Sequence, residues 1–450
     1  MKQRLYCFIV FVLSGLLTVQ AAPDVACVND VDVSNIFNVA PYTTIVISNN
    51  YVLNKDVNIP QGCTLFFNGG KISGKYKLNG NGNSVIAPSM QIFGSEVTIE
   101  GDWVVDNYDV KWLGAKGNGK NDDTKAIQKT IDWAVASSGI VYFPVGHYRI
   151  TSSLTIDNNI ELIGSSQHKT IIETDKSITM LSAIMKTSNG KYLNVRDICF
   201  DGKNKAKVGL LLHKVQGNSL LERISVKNIS GIGINLEGWC WTGSLVRSEI
   251  WNCGEVGLRL GPGSNDYTVD DMNFYICKVG VLFEAGDSQL SPRTLAIGGS
   301  RITNSVFESI SESAIALRVS TAPITAITIN NNYFEQIRRV LIAKDLTGKN
   351  QRIRNLSFSG NTCYLGKYGN NDMETFMDCS QGYIQNMSLY HNSFLDNPKS
   401  VIKLGSRCYD VYIYGNMVAY SGVKLYDGGV ESRIYTEKSG KLSKSIINTK

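Results

Sequence analysis

The chain has 450 residues, a formal net charge of +6 and ten cysteines. The charge is small and dispersed, which argues against nucleic acid as a partner. No pair of cysteines has the C-x-x-C spacing of a zinc or redox centre, so neither a disulfide scaffold, a metal nor a cofactor is predicted.

The first 21 residues have the pattern of an export signal. Lys2 and Arg4 supply a positive start, residues 6–17 an apolar core, and residues 19–21 a small-residue cleavage site. The apolar run is too short to cross a bilayer, and no later segment offers the ~20 apolar residues of a membrane helix. We expect a secreted or periplasmic protein that begins near Ala22. A lipid anchor on Cys27 is the less favoured alternative.

Short apolar runs broken by glycine and asparagine follow, and they predict irregular early β-coils over residues 22–108. One strong helix signal comes next. Residues 121–124 supply N-cap candidates, and apolar residues recur at helical spacing from Ala126 to Val135, until residues 137–139 end the pattern. We expect this single helix to cover one end or flank of the strands.

A repeat of about two dozen residues dominates the rest of the chain. Gly209, Gly233, Gly257 and Gly280 each lie between apolar residues, at intervals of 24, 24 and 23. Apolar residues alternate with polar ones before each glycine, as in a strand with one buried face. The period predicts a solenoid over residues 109–435, followed by a polar tail over 436–450. Long amphipathic helices are absent from this pattern, which excludes TIM-barrel and Rossmann folds.

The later coils repeat an asparagine before each apolar run. Stacked asparagines can hydrogen-bond the backbone of sharp turns and one another, so their recurrence needs no catalytic role. The residues of this predicted stack are Asn304, Asn331, Asn361, Asn392 and Asn416.

The 24-residue spacing also assigns the interior of the coil. Residues one period apart should stack in columns, and Cys253 and Cys277 should lie close enough to touch as reduced core residues. The three predicted interior columns are Val226, Ile250 and Phe274; Ile224, Ser248 and Met272; and Ile229, Cys253 and Cys277.

Residues 109–128 (DVKWLGAKGNGKNDDTKAIQ) and 141–148 (VYFPVGHY) resemble the opening of pectate-lyase-superfamily proteins. This group includes polygalacturonase-like hydrolases, polysaccharide lyases and phage tailspikes. The resemblance implies an all-β, right-handed parallel β-helix with one N-terminal capping α-helix, and a carbohydrate context. We interpret Asp122 and Asp123 within the motif as structural residues at the helix start.

Departures from the family narrow the expected chemistry. Of the hydrolase motifs, only the Asp270-Asp271 pair has a counterpart, and His147 lies in a Gly-His pair rather than Gly-His-Gly. The arginine signature of calcium-dependent pectate lyases is also missing. Polygalacturonase activity and calcium binding are therefore not predicted.

A candidate site follows from the residues that alternate with the interior columns. Cations, carboxylates and aromatic rings should share one outer face, as polysaccharide binding and cleavage require. The predicted catalytic residues are Arg223, Arg247, Glu249, Asp271, Lys227 and Tyr275, and the predicted substrate-binding residues are Trp251, Asn273, Asp197, Asp201, Trp239 and Trp241. Glu308 and Glu335 are further acidic candidates whose register is left open.

Three interpretations of this face remain. A hydrolase would use two carboxylates, Glu249 with Asp271 or with Asp197. A lyase or epimerase would neutralise a uronate with arginine and withdraw a proton with a residue such as Lys227 or Tyr275. Alternatively, the charged residues form a solvated salt-bridge ladder.

The sequence therefore predicts a polysaccharide as the partner and a carbohydrate-active enzyme, with a lyase slightly ahead of a hydrolase and a uronate-containing substrate. Under this hypothesis Arg247→Ala and Asp271→Asn each abolish turnover. A noncatalytic glycan-binding protein is the alternative, and a tailspike is disfavoured by the export signal. The sequence does not determine the oligomeric state.

Overall fold

A computed structural model describes residues 25–27 and 37–444, except 138, 188–189, 291–293, 349, 367–373, 430–432 and 439–440. The predicted export signal over residues 1–21 lies outside the described residues. No helix among the described residues is both long and apolar enough to cross a membrane.

Eight strands form the N-terminal part of the chain. One sheet has the order β1-β2-β5-β7-β4 with β8 paired to β7, and β3 pairs with β6. These strands are β1 (Val25–Cys27), β2 (Thr44–Ile47), β3 (Asn50–Val52), β4 (Val57–Asn58), β5 (Thr64–Phe67), β6 (Lys71–Ser73), β7 (Lys77–Ile86) and β8 (Thr98–Trp103).

The coil itself begins with one 3₁₀ turn, Val110–Leu113, and one α-helix, α1 (Thr124–Ala136). Its first strands are β9 (Asn107–Asp109), β10 (Asn118–Asp122), β11 (Ile140–Phe143), β12 (Gly146–Arg149), β13 (Leu154–Ile156), β14 (Ile160–Gly164), β15 (Thr170–Glu173), β16 (Thr179–Ile184), β17 (Leu193–Arg196), β18 (Cys199–Asp201), β19 (Val208–His213), β20 (Leu220–Glu222), β21 (Ser225–Ile229), β22 (Ile232–Leu236), β23 (Ser244–Cys253), β24 (Val256–Leu260), β25 (Thr268–Tyr275) and β26 (Val279–Asp287).

The later coils contain shorter strands. They are β27 (Thr294–Leu295), β28 (Ile297–Gly298), β29 (Arg301–Thr303), β30 (Val306–Glu308), β31 (Ser313–Val319), β32 (Ile324–Asn330), β33 (Tyr333–Glu335), β34 (Leu341–Asp345), β35 (Ile353–Ser359), β36 (Thr362–Tyr364), β37 (Thr375–Gln381), β38 (Ile384–Tyr390), β39 (Ser393–Phe394), β40 (Ser400–Leu404), β41 (Tyr409–Tyr414), β42 (Met417–Val418), β43 (Lys424–Gly428), β44 (Ile434–Lys438) and β45 (Lys441–Lys444).

Two long sheets run along the coil, and nearly all their pairings are parallel. The main sheet has 25 strands, from β10 through β45 with β9 at its edge, and the second has 12, from β13 through β43. Each turn of chain adds strands to both sheets, which confirms the predicted β-helix. The strands β44 and β45 extend into the predicted polar tail. The domain boundaries proposed from the sequence remain a prediction.

The predicted register is confirmed where the repeat is regular. Val226 pairs with Ile250, and Ile250 with Phe274. All three are fully buried, as are Phe307 and Phe334 on the next two coils. The rings of Phe274 and Phe307 stack with centroids 4.7 Å apart. One continuous hydrophobic core therefore fills the coil from the N-terminal strands to the last turns.

A left-handed bend interrupts the main sheet once per coil. It occurs at Arg223 (φ 48°), Arg247 (φ 49°), Asp271 (φ 53°) and Asn304 (φ 50°), each a non-glycine residue. The bend breaks the alternation of inward and outward side chains. Two consecutive residues, such as Asp270 and Asp271, therefore face outward before the alternation resumes.

The predicted asparagine stack is correct for three residues and wrong for two. The ladder consists of buried Asn332, Asn361 and Asn392 and half-buried Asn416, joined by amide hydrogen bonds of 2.9–3.0 Å. Asn304 and Asn331 precede it in the bend, where both have positive φ and are exposed. Each residue of the ladder occupies an inward position of its coil. On the coil of Asn304 the inward position is occupied by Ser305, whose backbone amide donates to Asn332.

The helix α1 lies where the N-terminal strands meet the main coil, as predicted for a cap. Trp133 on this helix packs edge-on against Phe93, Trp103 and Tyr108, with ring centroids 4.7–5.8 Å apart. The two aspartates before the helix have separate roles. Asp122 accepts hydrogen bonds from Thr124 at the helix start, whereas buried Asp123 accepts from the backbone of Lys116 (2.7 Å) and Gly117 (2.9 Å).

Eight cysteines have described side chains, and all are buried free thiols. Cys253 and Cys277 lie on adjacent coils with their thiols next to each other, as their spacing predicted. Burial raises the pKa of the thiols of Cys363 and Cys379 well above the ordinary range. These thiols pack as small core side chains.

Candidate functional site

The outer face of the main sheet contains two columns of outward side chains after the bend. Paired residues along the first are Asp201, Lys227, Trp251, Tyr275, Glu308, Glu335 and Tyr364. Paired residues along the second are Cys199, Ser225, Glu249, Asn273, Val306, Tyr333 and Thr362. The predicted site residues Asp201, Lys227, Glu249, Trp251, Asn273 and Tyr275 therefore do share one face.

The two predicted catalytic arginines are held in salt bridges at the bend. Arg223 donates two hydrogen bonds to Asp197, at 2.7 and 2.8 Å, and lies 2.9 Å from Glu222. Arg247 also pairs with Glu222. The side chain of Glu222 is nearly buried, so both guanidinium groups are fixed by the protein itself. The salt-bridge interpretation holds for these arginines, but their partners are Asp197 and Glu222 rather than Glu249 and Asp271.

A second ion-pair network covers the first coils of this face. Lys203 lies 3.1 Å from Glu173 and 3.8 Å from Asp201, and Lys227 lies 4.0 Å from Asp201. His147 extends the network, with its Nδ1 3.2 Å from Glu173. The carboxylates on these coils therefore already have cationic partners.

The later coils of the same face differ sharply in their electrostatics. Glu249, Glu308 and Glu335 form no salt bridge with any side chain in the described ranges. Glu308 and Glu335 are directly paired on neighbouring parallel strands. Two carboxylates thus lie side by side at the surface without a counter-charge.

The tyrosines beside these carboxylates are held in the protonated form. Partial burial raises the pKa of Tyr275, and the charges of Glu308 and Glu249 add to the effect. Burial also raises the pKa of Tyr333, with Glu335 acting through its charge and a hydrogen bond. Both phenols are therefore hydrogen-bond donors at neutral pH rather than bases.

Aromatic rings flank the paired carboxylates on both sides along the coil axis. Trp251 and Tyr275 precede Glu308, and Tyr364 follows Glu335 in the same column. Trp251, Tyr333 and Tyr364 are 40%, 39% and 37% exposed. With strands ~4.8 Å apart, the column from Trp251 to Tyr364 is about 19 Å long. We call this surface the carboxylate–aromatic face: Glu249, Trp251, Tyr275, Glu308, Tyr333, Glu335 and Tyr364.

Other predicted residues lie apart from this face. Asp271 is exposed at the bend, and its neighbour Asp270 accepts hydrogen bonds from Thr303 (2.6 Å) and Asn304 (2.8 Å). Trp239 and Trp241 pack against each other, with ring centroids 5.3 Å apart, in the loop before β23. Trp251 lies near the opposite end of that strand, so the two tryptophans lie apart from it.

The structure also reveals a buried charged cluster on the second sheet. Arg259 pairs with Glu237 and with Glu284 (2.7 Å), and it donates to Asn235 (2.9 Å). Glu237 further accepts from the Ser288 hydroxyl (2.8 Å). All these groups have protein partners, so the cluster fastens the loop after β26 to the sheet.

Sequence reasoning missed Glu222 at the bend, and Tyr333 and Tyr364 on the carboxylate–aromatic face. The role of Glu222 could not be predicted by alternation, because the bend turns two consecutive residues to the same side. The sequence signal of the bend is the Arg or Asp that recurs before an inward residue, at Arg223, Arg247 and Asp271. Tyr333 and Tyr364 lie beyond the longer loops, where the fixed period fails. Among the described residues, no group of three or more His, Cys, Asp or Glu side chains is arranged to hold a metal ion.

Comparison with known proteins agrees with this fold. Residues 108–297 match the family model described as rhamnogalacturonase A/epimerase, pectate lyase-like. An exopolygalacturonase from Thermotoga maritima superposes with a TM-score of 0.52 at 11% sequence identity, over 76% of this chain and 95% of that one. At this identity the likeness shows the fold alone.

Two curated relatives come from Azotobacter vinelandii. The mannuronan C5-epimerase AlgE6 is 32% identical over 155 residues, which are 29% of this chain and 17% of the relative. Alginate lyase 7 is 32% identical over 145 residues, which are 27% of this chain and 17% of the relative. The chain thus spans about a sixth of the length of either relative.

Proposed function

The chain is a right-handed parallel β-helix protein with a pectate-lyase-like domain, and we propose that it binds a polysaccharide along the carboxylate–aromatic face and cleaves it there. Cleavage is by hydrolysis of a glycosidic bond between Glu308 and Glu335. The sugar chain lies along the coil axis over Trp251, Tyr275 and Tyr364.

One observation carries this proposal. The paired carboxylates of Glu308 and Glu335 have no cationic partner among the described residues, and exposed aromatic rings flank them. Like charges on neighbouring strands destabilise a sheet, so a purely structural role does not account for them. Aromatic rings stack on the apolar faces of sugars, and carboxylates accept hydrogen bonds from hydroxyl groups.

The chemistry of the face supports hydrolysis over the lyase reaction favoured from sequence. A lyase needs a cation to neutralise the uronate and a base to withdraw a proton. Arg223 and Arg247 are occupied by Asp197 and Glu222, and Tyr275 keeps its proton. The paired backbones of Glu308 and Glu335 are one strand spacing apart, ~4.8 Å, so their carboxylates can reach the ~5–5.5 Å separation of retaining glycosidases. The anomeric configuration should therefore be retained.

Substrate class is proposed from the relatives. Their names refer to mannuronan and alginate, and the family description refers to rhamnogalacturonase and epimerase. We accordingly propose a uronate-containing polysaccharide. The names also favour a second candidate, a lyase or epimerase acting at a uronate. Secretion remains part of the proposal and rests on the N-terminal 21 residues.

Incubation with alginates, pectins, glycosaminoglycans and neutral glucans tests the reaction. Hydrolysis releases reducing ends without an ultraviolet-absorbing product, whereas a lyase gives an unsaturated product. An epimerase exchanges the C5 proton with solvent deuterium and leaves chain length unchanged. Binding without any of these products would favour the noncatalytic glycan-binding protein.

The matched variants are Glu308→Gln, Glu335→Gln and the control Glu96→Gln. Glu96 is an exposed carboxylate in the N-terminal part of the chain. Either site variant should lower kcat by at least about a hundredfold, because each removes one of two required carboxylates. The unfolding midpoint should be unchanged or slightly higher, because each substitution also removes the repulsion between the paired carboxylates. Full activity of both site variants would remove this pair from the mechanism.

A further inference from the structure

A cationic groove runs along one edge of the carboxylate–aromatic face. Its volume is about 600 Å³, and its wall includes Asn252, Ile276 and Ser309. These residues directly follow Trp251, Tyr275 and Glu308 in the chain. The groove is therefore continuous with the face where the polysaccharide is proposed to lie.

The groove contains more positive than negative charge. Four cations, Lys278, Arg338, Arg339 and Lys344, line it together with the two carboxylates of Glu312 and Asp378, which leaves a net charge of +2. Glu312 is already shared, since it lies 3.7 Å from Lys278 and 3.6 Å from Arg318. Asp378 accepts hydrogen bonds from Ser380, and positive charge still exceeds negative charge along the groove.

Two of these cations have no counter-ion among the residues that the structure describes. Arg338 and Lys344 form no salt bridge with any residue in the described part of the chain. Lys344 is also paired in register with Arg318 on the neighbouring strand. Like charges at paired positions of a sheet repel each other, so an anion in the groove would lower the free energy of this arrangement.

The groove also contains neutral hydrogen-bond donors, and its inner wall is formed by buried residues. Ser309 and Ser311 line it beside the cations, and its inner wall contains Cys253 and Cys277. Burial, with the nearby charge of Arg338, lowers the pKa of Arg339, although Asp378 opposes this effect. An acidic group would meet several donors at once.

We propose that this cationic groove binds an acidic substituent, a carboxylate or a sulfate, of the polysaccharide that lies on the carboxylate–aromatic face. The inference rests on the proposed function and adds to it, because it separates recognition from bond cleavage. The carboxylates of the face act on the glycosidic bond, and the groove selects chains with an acidic group to one side. Guanidinium groups suit both anions, since they can donate two parallel hydrogen bonds.

The test measures binding by calorimetry in the full chain with Glu308→Gln, so that cleavage does not interfere. The probes are a hexameric oligouronate, its carboxyl-reduced neutral counterpart and a sulfated hexasaccharide. The groove variant is Arg338→Gln with Lys344→Gln. The control is Lys75→Gln, an exposed lysine in the N-terminal part of the chain.

The groove variant should weaken binding of at least one acidic hexamer by about tenfold or more, through loss of charge-assisted hydrogen bonds. Binding of the neutral hexamer and the behaviour of Lys75→Gln should not change. Preference for the oligouronate identifies a carboxylate as the ligand, and preference for the sulfated probe identifies a sulfate. Equal affinities for acidic and neutral hexamers, or no effect of the groove variant, would overturn the inference.

These results separate the two proposals. Acidic hexamers that bind through the groove without any turnover by the wild type would leave the inference standing and reject the hydrolase. Cleavage that needs Glu308 but is indifferent to the groove variant would support the hydrolase and reject the inference. Absence of binding for all three probes would contradict both.

Discussion

The Nδ2 amide of Asn361 donates a hydrogen bond to the Oδ1 of Asn392 on the next coil, at 3.0 Å. The same side chain accepts from the backbone amide of Asn332 (2.9 Å) and donates to the carbonyl of Ile329 (3.1 Å). Asn361 is 1% exposed. Its polar groups therefore satisfy backbone groups on the preceding coil and the side chain of Asn392 on the next.

We predict that Asn361→Ala lowers the free energy of unfolding by roughly 3 kcal/mol, because several buried polar groups lose their partners. Denaturant titration measures this change. The matched control is Asn331→Gly, since Asn331 is exposed and has the positive φ that glycine adopts readily. A loss for Asn361→Ala no larger than that of the control would contradict the ladder's structural role.

The period of the sequence was sufficient to predict the columns of the coil. Residues 24 apart had to stack, because each buried strand repeats the same alternation on the coil below it. This reasoning placed Val226, Ile250 and Phe274 correctly. It did not place Asn332, because alternation cannot show where a left-handed bend turns two neighbours to the same side.

The site was predicted less completely for the same reason. Tyr275 pairs with Glu308, 33 residues later, and Glu308 with Glu335 after 27 more. Loops of different length lie between these strands, so a fixed spacing could not align them. The pattern of charged residues in the sequence also does not show which charges are neutralised by salt bridges. Arg247 was predicted to be catalytic, but in the structure it forms a salt bridge with Glu222.

Glu222 should stabilise the bend rather than take part in turnover. It is shared by Arg223 and Arg247, and its side chain is nearly buried. We predict that Glu222→Gln lowers the free energy of unfolding by about 1.5–3 kcal/mol, the range of hydrogen bonds to a charged group. Asp197→Asn should cost less, about 0.5–1 kcal/mol, because its pair with Arg223 is more exposed.

Chemical denaturation measures both variants, and Arg247→Met with and without Glu222→Gln completes a double-mutant cycle. Turnover on any substrate found in the panel should persist in Arg247→Met. Loss of turnover with unchanged stability in that variant would restore the catalytic role predicted for Arg247 from sequence.

His213 should make the protein less stable in mild acid. Burial lowers the pKa of His213, with a contribution from Lys214, and its Nδ1 donates to the carbonyl oxygen of Glu237 at 2.7 Å. An unfolded histidine titrates near ~6.5. Above that pH both states are neutral and the full stability is present. Below it the unfolded chain takes up a proton that the folded chain resists, so stability falls as pH decreases.

The unfolding free energy of the wild type and of His213→Asn, measured at pH 5.5 and 7.5, tests this linkage. A single histidine contributes at most about 1.4 kcal/mol per pH unit. The variant should show a smaller difference between the two pH values, whatever its absolute stability. The exposed His168 provides the control, and His168→Asn should leave the difference unchanged. An equal pH dependence in His213→Asn and wild type would exclude His213 as the source.

Glu237 should hold the loop after β26 against the second sheet. Its Oε1 accepts from the Ser288 hydroxyl (2.8 Å) and from the Gln289 amide (3.1 Å), and its other oxygen pairs with Arg259. We predict that Glu237→Gln lowers stability by roughly 3 kcal/mol, because Arg259 is buried and loses one of its two carboxylates. Hydrogen exchange at the Gln289 amide should accelerate in the same variant.

Glu284→Gln is the matched control: it removes the other carboxylate of Arg259, at 2.7 Å, without contacting Gln289. Equal exchange at Gln289 in both variants would show that the loop is held by other contacts.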